Sequence, residues 1–207
     1  MIVEFDSLSH TYKLSGTVIS SVTQILTDMG LIDTSFHQEA HAIRGRACHA
    51  AILYHLQGDL DESNIDDRIK PYLSAFKLFE SHVRLKPVMG LVEKPMIHES
   101  LMFAGTPDIP CELNGIPSLI DLKTGSVLPV HSLQLAAYKI LLRDVEHFEV
   151  VKRYVLQLKN DGTYLLREFN DKNDERIWLS CLAIYNWKQI NGGKNGNGDG
   201  KGNKGSR

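Results

Sequence analysis

The stretch that most restricts the fold runs from Phe103 to Lys123 and reads FAGTPDIPCELNGIPSLIDLK. Asn114-Gly115 lies between two apolar runs, and a two-residue turn with both residues at positive φ is a strong hairpin signal. The expected arms are Leu101 to Ile109, ending in Gly105-Thr106-Pro107-Asp108, and Ser118 to Lys123. Side chains alternate along a strand, so Asp121 and Lys123 share one face and Leu122 takes the other. Paired arms would bring Asp108 toward Asp121. Two carboxylates and an ammonium on one face are costly in an ordinary core, where charges must be paired. A bound divalent cation would offset that cost.

The rest of the chain reads as a mixed α/β domain. Ile2 to Phe5 and Thr11 to Leu14 are expected short strands, extended by Val18-Ile19 into a small N-terminal β element over residues 1–20. Ser21 with Gln24 three residues later fits a capping box for a helix that Gly30 ends. A long helix is expected from Thr34 or Ser35 to Gln57, carrying Arg44, Arg46 and His49, with Gly45 inside it despite a cost of about 1 kcal/mol relative to alanine. Such a glycine suggests close packing or approach to a ligand.

A second helix from Asp66 to Val83, with Pro71 near its start, leads to a strand from Val88 to His98 that carries Glu93. After the hairpin come a helix from Pro129 to Arg143, strands over Phe148–Lys159 and Thr163–Phe169, and a helix from Asp171 to Ile190. That last helix is expected to turn Ile177, Trp178, Cys181, Ile184 and Tyr185 inward. One domain is expected over residues 1–190. The tail from Asn191 has no apolar residue and cannot offset its ordering entropy, so 191–207 is an expected disordered Gly/Asn/Lys segment.

With a formal net charge of −2, nucleic-acid contact would have to come from a local basic patch, which argues against a packaging protein. The three cysteines, Cys48, Cys111 and Cys181, have no metal-ligand spacing and are expected as reduced, buried thiols. No run approaches the roughly 18 apolar residues of a membrane span, and the N-terminus lacks a basic region followed by an apolar one, so a cytoplasmic protein is expected.

Pro107-Asp108 followed by Asp121-Leu122-Lys123 resembles the PD-(D/E)XK nuclease superfamily. Gly105-Thr106-Pro107-Asp108 is similar to the GxxD element of its RecB-like and phage-type exonucleases. Asp121-Leu122-Lys123-Thr124-Gly125 matches their D-x-K-T-G element, and Gln134-Leu135-Ala136-Ala137-Tyr138 their Q-x-x-x-Y element. A lone D-x-K is a weak signal; the three elements in this order are a strong one. The resemblance implies a restriction-endonuclease-like core, a mixed central sheet flanked by helices. It also implies His49 as the upstream histidine, Glu93 as the acid ahead of GxxD, with Glu99 ranked below it, and Gln134 and Tyr138 contacting DNA or holding the lysine and acid. An iron–sulfur cluster, found in some relatives, does not suit three scattered cysteines.

The residue types suit phosphodiester hydrolysis. Asp108 and Asp121 offer hard oxygens for Mg²⁺ or Mn²⁺, and the Leu122 carbonyl and His49 could complete the set. Lys123 can orient or deprotonate water and offset charge in the transition state. Arg46 could contact phosphate, and Thr124 support the strand exit. Each has a bland alternative: a core histidine for His49, a solvated glutamate for Glu93, helix packing for Gln134 and Tyr138, local ion pairing for Arg44 and Arg46. His37 and His41 lack the glutamate of a zinc motif and read as an exposed face. Lys152, Arg153 and Lys159 read as solvated edge charges.

The expected function is a metal-dependent DNA exonuclease of phage or bacterial replication or recombination, acting on DNA with free ends. A homo-oligomer or a recombination partner is compatible with it. The alternatives are a structure- or sequence-specific endonuclease and a non-cleaving DNA-binding adaptor.

Overall fold

The computed structural model describes residues 3–6, 9–32 and 39–192. His37, the expected helix start at Thr34 or Ser35, and the tail from residue 193 lie outside them.

Strands β1 (Val3–Asp6), β2 (Thr11–Leu14) and β3 (Thr17–Ile19) form a small antiparallel sheet in the order β1-β2-β3. Helix α1 (Val22–Asp28) starts with the expected capping box: Ser21 Oγ accepts the Gln24 N–H, and Gln24 Oε1 accepts the Ser21 N–H. Helices α2 (Glu39–Gln57) and α3 (Lys70–His82) follow, with Pro71 in the first turn of α3. Residues 67–69 are a turn, and α3 starts at Lys70 instead of the expected Asp66.

Strand β4 (Leu85–Pro87), which periodicity did not reveal, precedes a pair formed by β5 (Met96–His98) and β6 (Phe103–Gly105). The hairpin comprises β7 (Ile109–Leu113) and β8 (Ile116–Lys123), joined through Asn114 at φ 51° and Gly115 at φ 86°. Helix α4 (His131–Glu146) then crosses over to β9 (Lys152–Leu158), which runs parallel to β8. Strand β10 (Tyr164–Glu168) and helix α5 (Asp174–Asn191) complete the fold.

The central sheet has the order β10-β9-β8-β7-β4, with β8–β9 its parallel pair. Leu119 of β8 joins a core with α1, α4 and α5 around Trp178, while Ile120 and Leu122 join a second core with α2 and α3 around Phe76 and Phe79. The architecture is therefore the expected mixed α/β one, a mixed sheet flanked by helices.

Several expectations need correction. The first hairpin arm is divided: residues 103–105 pair with β5, and only 109–113 pair with β8. The expected strand from Val88 to His98 is mostly a turn, with Glu93 at φ 50°. One interaction accounts for both changes, because the Glu93 N–H reaches the carbonyls of Pro107 and Asp108, each at 3.1 Å, and draws the chain out of extended pairing. Pro129 precedes α4, whose first residue is His131. On α5 the inward residues are Trp178, Leu182 and Tyr185, whereas Ile177 and Ile184 are exposed and Cys181 is half-buried. Arg153 is buried: β9 lies inside the sheet, and the guanidinium bonds Asp174 Oδ2 at 2.9 Å and the carbonyls of Ser132 and Asp171.

Candidate metal centre and active-site cavity

Three segments far apart in sequence meet at one cluster. Helix α2 supplies His49, the 91–93 turn supplies Glu93, and Asp108 stands immediately before β7. One donor atom from each lies within 4.8 Å of the others. His49 Nδ1 is 2.9 Å from Glu93 Oε1 and 3.6 Å from Asp108 Oδ1. The other ring nitrogen, Nε2, is 3.3 Å from the Leu122 carbonyl, which can only accept. That contact places a proton on Nε2 and presents Nδ1 to the carboxylates, the arrangement that orients metal-binding imidazoles.

Asp108 divides its two oxygens. Oδ2 accepts the Leu122 N–H at 2.6 Å, while Oδ1 faces His49. The register of β7 on β8, Ile109 opposite Ile120, carries Asp108 to the level of Asp121, as the hairpin predicted. Asp121 is fully buried, and neither carboxylate oxygen has a hydrogen bond among the described residues. Lys123 Nζ sits 2.5 Å from Asp121 Oδ2 as an ion pair.

Burial is the largest influence on each of these groups. It pushes the carboxyls of Asp108 and Asp121 up, against the opposing pull of His49 on the first and of Lys123 on the second. Burial works against charge on His49, but Asp108 and Glu93 outweigh it and raise the imidazole to about 9. Asp121 and Asp108 likewise outweigh burial at Lys123 and hold its ammonium charged. The surrounding carboxylates thus favour positive charge at Nδ1. A divalent cation beside Nδ1 would supply that charge, so the donor set fits a metal.

A cavity of about 410 Å³ opens onto His49, Glu93, Asp108 and Lys123. Gln134 and Tyr138, one turn apart on α4, also line it, joined by a 3.1 Å bond from Gln134 Nε2 to Tyr138 Oη. Burial, followed by the two aspartates, raises the Tyr138 phenol well above its ordinary value. Arg46 lines the same cavity and is exposed. Arg44 turns away, with its guanidinium 5.5 Å over the Tyr72 ring and 3.5 Å from the Thr124 carbonyl. Thr124 and His41 belong to a neighbouring cavity of about 510 Å³, and His41 is exposed. Gly45 lines both cavities; a Cβ there would meet Thr124 Oγ1 at an ordinary 3.9 Å. Glu99 lines a separate hollow with Lys94 and Asp144, so Glu93 is the acid brought to His49.

Three contributors escaped sequence reading. Phe5 and His10, from the first hairpin, line the cavity because Tyr12 Oη bonds Thr106 Oγ1 at 2.7 Å and ties that hairpin to the segment before Asp108. No local pattern announces a contact spanning 94 positions. His131, buried beside the Asp121–Lys123 pair, likewise carries no motif.

Neither a family model nor a curated protein matches this chain. Among solved structures, a candidate exonuclease from Eubacterium rectale superposes with a TM-score of 0.46 at 12% identity, covering 84% of this chain and 74% of the other. An alkaline exonuclease from Laribacter hongkongensis superposes with a TM-score of 0.37 at 14% identity, covering 85% and 94% respectively.

Proposed function

We propose that the chain is a divalent-metal-dependent deoxyribonuclease that hydrolyses phosphodiester bonds from DNA ends, in phage or bacterial replication or recombination. The observation that carries this reading is the convergence of His49, Glu93 and Asp108 within 4.8 Å of one another, beside the buried Asp121–Lys123 pair. His49, Glu93 and Asp108 would hold the ion, with Asp121 adding negative charge behind them. Bound there, Mg²⁺ or Mn²⁺ would polarise the scissile phosphate and lower the pKa of water, the imidazole favouring Mn²⁺.

The protein side of the chemistry follows from placement. Lys123 is held charged by Asp121 and Asp108, so it serves as a donor that orients the attacking water and offsets charge on the phosphorane-like transition state. Asp121 fixes the ammonium. Gln134 and Tyr138 wall the site and can donate to substrate phosphate. Arg46, exposed on α2, supplies a cation for an adjacent phosphate.

The test is incubation of end-labelled linear DNA and covalently closed circles with Mg²⁺ or Mn²⁺, with Lys123→Ala as the control. Degradation of linear DNA alone is expected. Cutting of circles would make the enzyme an endonuclease, and binding without cleavage in either metal would make it an adaptor.

A further inference from the structure

The cavity beside the metal cluster is more apolar than a phosphate site requires. Phe5 and His10 form one wall, their rings edge to face at 5.2 Å, and Leu53 and Tyr138 add further apolar surface. His10 is exposed, and Phe5 is half-buried where it packs against the core of the small sheet. The wall is nonetheless fixed. Phe5 and His10 pack on the Tyr12 ring at 4.8 and 5.5 Å, and Tyr12 is itself buried and bonded to Thr106, two residues before Asp108. An aromatic surface is thereby held in register with a carboxylate of the metal cluster, and Arg46 offers a cation in the same cavity.

An aromatic wall, a cation and a phosphate-directed cluster in one cavity match the parts of a single nucleotide. We infer that the Phe5–His10 wall takes the base of an unpaired nucleotide, one ring face-on and the other edge-on, with its phosphate facing His49, Glu93 and Asp108, so that the site takes single-stranded DNA. The inference rests on the nuclease reading above and names its substrate class. Aromatic side chains bind bases this way without sequence preference, because every base has a π-face. In a duplex those faces are covered by neighbouring bases, so only an unpaired nucleotide can use the wall.

The probes are an end-labelled oligothymidylate and an abasic deoxyribose-phosphate oligomer of the same length. Both are titrated in Ca²⁺ against the full chain carrying Lys123→Ala, which prevents cleavage. The oligothymidylate should bind more tightly by about 5- to 150-fold, the range expected for one base–aromatic stack. Adding His10→Ala or Phe5→Leu should reduce that preference while leaving abasic binding unchanged. The leucine retains apolar bulk for the small sheet, and circular dichroism checks that each variant is folded. Equal binding of the two probes, or a preference that survives both substitutions, overturns the stacking wall while leaving phosphate recognition intact. Binding of neither probe overturns the single-strand inference, and degradation of end-labelled linear duplex by the wild type then shows that the nuclease reading stands apart from it.

Discussion

Tyr138 lies so close to Gly105 that a methyl group at residue 105 would sit 2.6 Å from Tyr138 Cε1 and 3.1 Å from Leu141 Cδ1. The glycine of the GTPD segment is therefore required for space and not for its backbone angles. It seats the α4 tyrosine against the strand that leads to Asp108. Gly105→Ala should destabilise the protein by about 1–3 kcal/mol, the usual cost of overpacking, and lower turnover by displacing the Gln134–Tyr138 pair. Urea denaturation of the double-mutant cycle with Tyr138→Ala checks it. The alanine should cost less when the ring is already gone, and additive effects would show that the contact is not shared.

Metal should bind where the donors converge, and stability reads this without any turnover. Adding Mn²⁺ or Mg²⁺ to chelated protein should raise its melting temperature, with a stabilisation of about 2.7 kcal/mol at one hundred times the Kd. Glu93→Gln should shrink the shift, and Glu99→Gln should leave it intact. A full shift in Glu93→Gln would place the ion elsewhere.

Much of this arrangement was legible because it is local. Asn114-Gly115 set the hairpin, and period-two alternation put Asp121 and Lys123 on one face. The i, i+4 spacing put Gln134 and Tyr138 on another. What periodicity could not reach was determined by single long-range bonds. The Glu93 N–H holds the carbonyls of Pro107 and Asp108 and turns an apparent strand into a tight bend. Tyr12 on Thr106 brings in the N-terminal hairpin. Arg153 looked like an edge charge because its partner, Asp174, lies on a helix 21 positions later.

That buried pair makes a prediction of its own. Arg153→Met should strand the Asp174 carboxylate, which is 5% exposed, at a cost of about 3–5 kcal/mol. Replacing both residues, as Arg153→Met with Asp174→Leu, should recover part of that loss, the remainder being the Ser132 and Asp171 carbonyls that also lose the guanidinium. Denaturant midpoints of the three variants decide it, and an equal or larger loss in the double variant would refute the pairing argument.

His131 should leave a signature in pH dependence. Its Nδ1 accepts the Leu128 N–H at 3.1 Å, and burial, then the charge of Lys123, push the imidazole down from 6.5 to about 4. Between those values the unfolded chain binds more protons than the native one, so stability falls as the pH is lowered across this window. Relative to His131→Asn, which keeps an acceptor for Leu128, the wild type should lose stability from pH 6.5 to about 4 and then level off. Parallel thermal melts across that range provide the check, and a constant difference would contradict it.

The bond from the Leu122 N–H to Asp108 Oδ2 places one backbone amide of the central strand in direct contact with a carboxylate of the cluster. Any change in charge at Asp108, whether from a proton, a cation or an arriving phosphate, alters the acceptor strength seen by that amide. Leu122 is thus an intrinsic spectroscopic reporter. In nitrogen–proton correlation spectra its resonance should follow occupancy of the site, with no label introduced into the cavity.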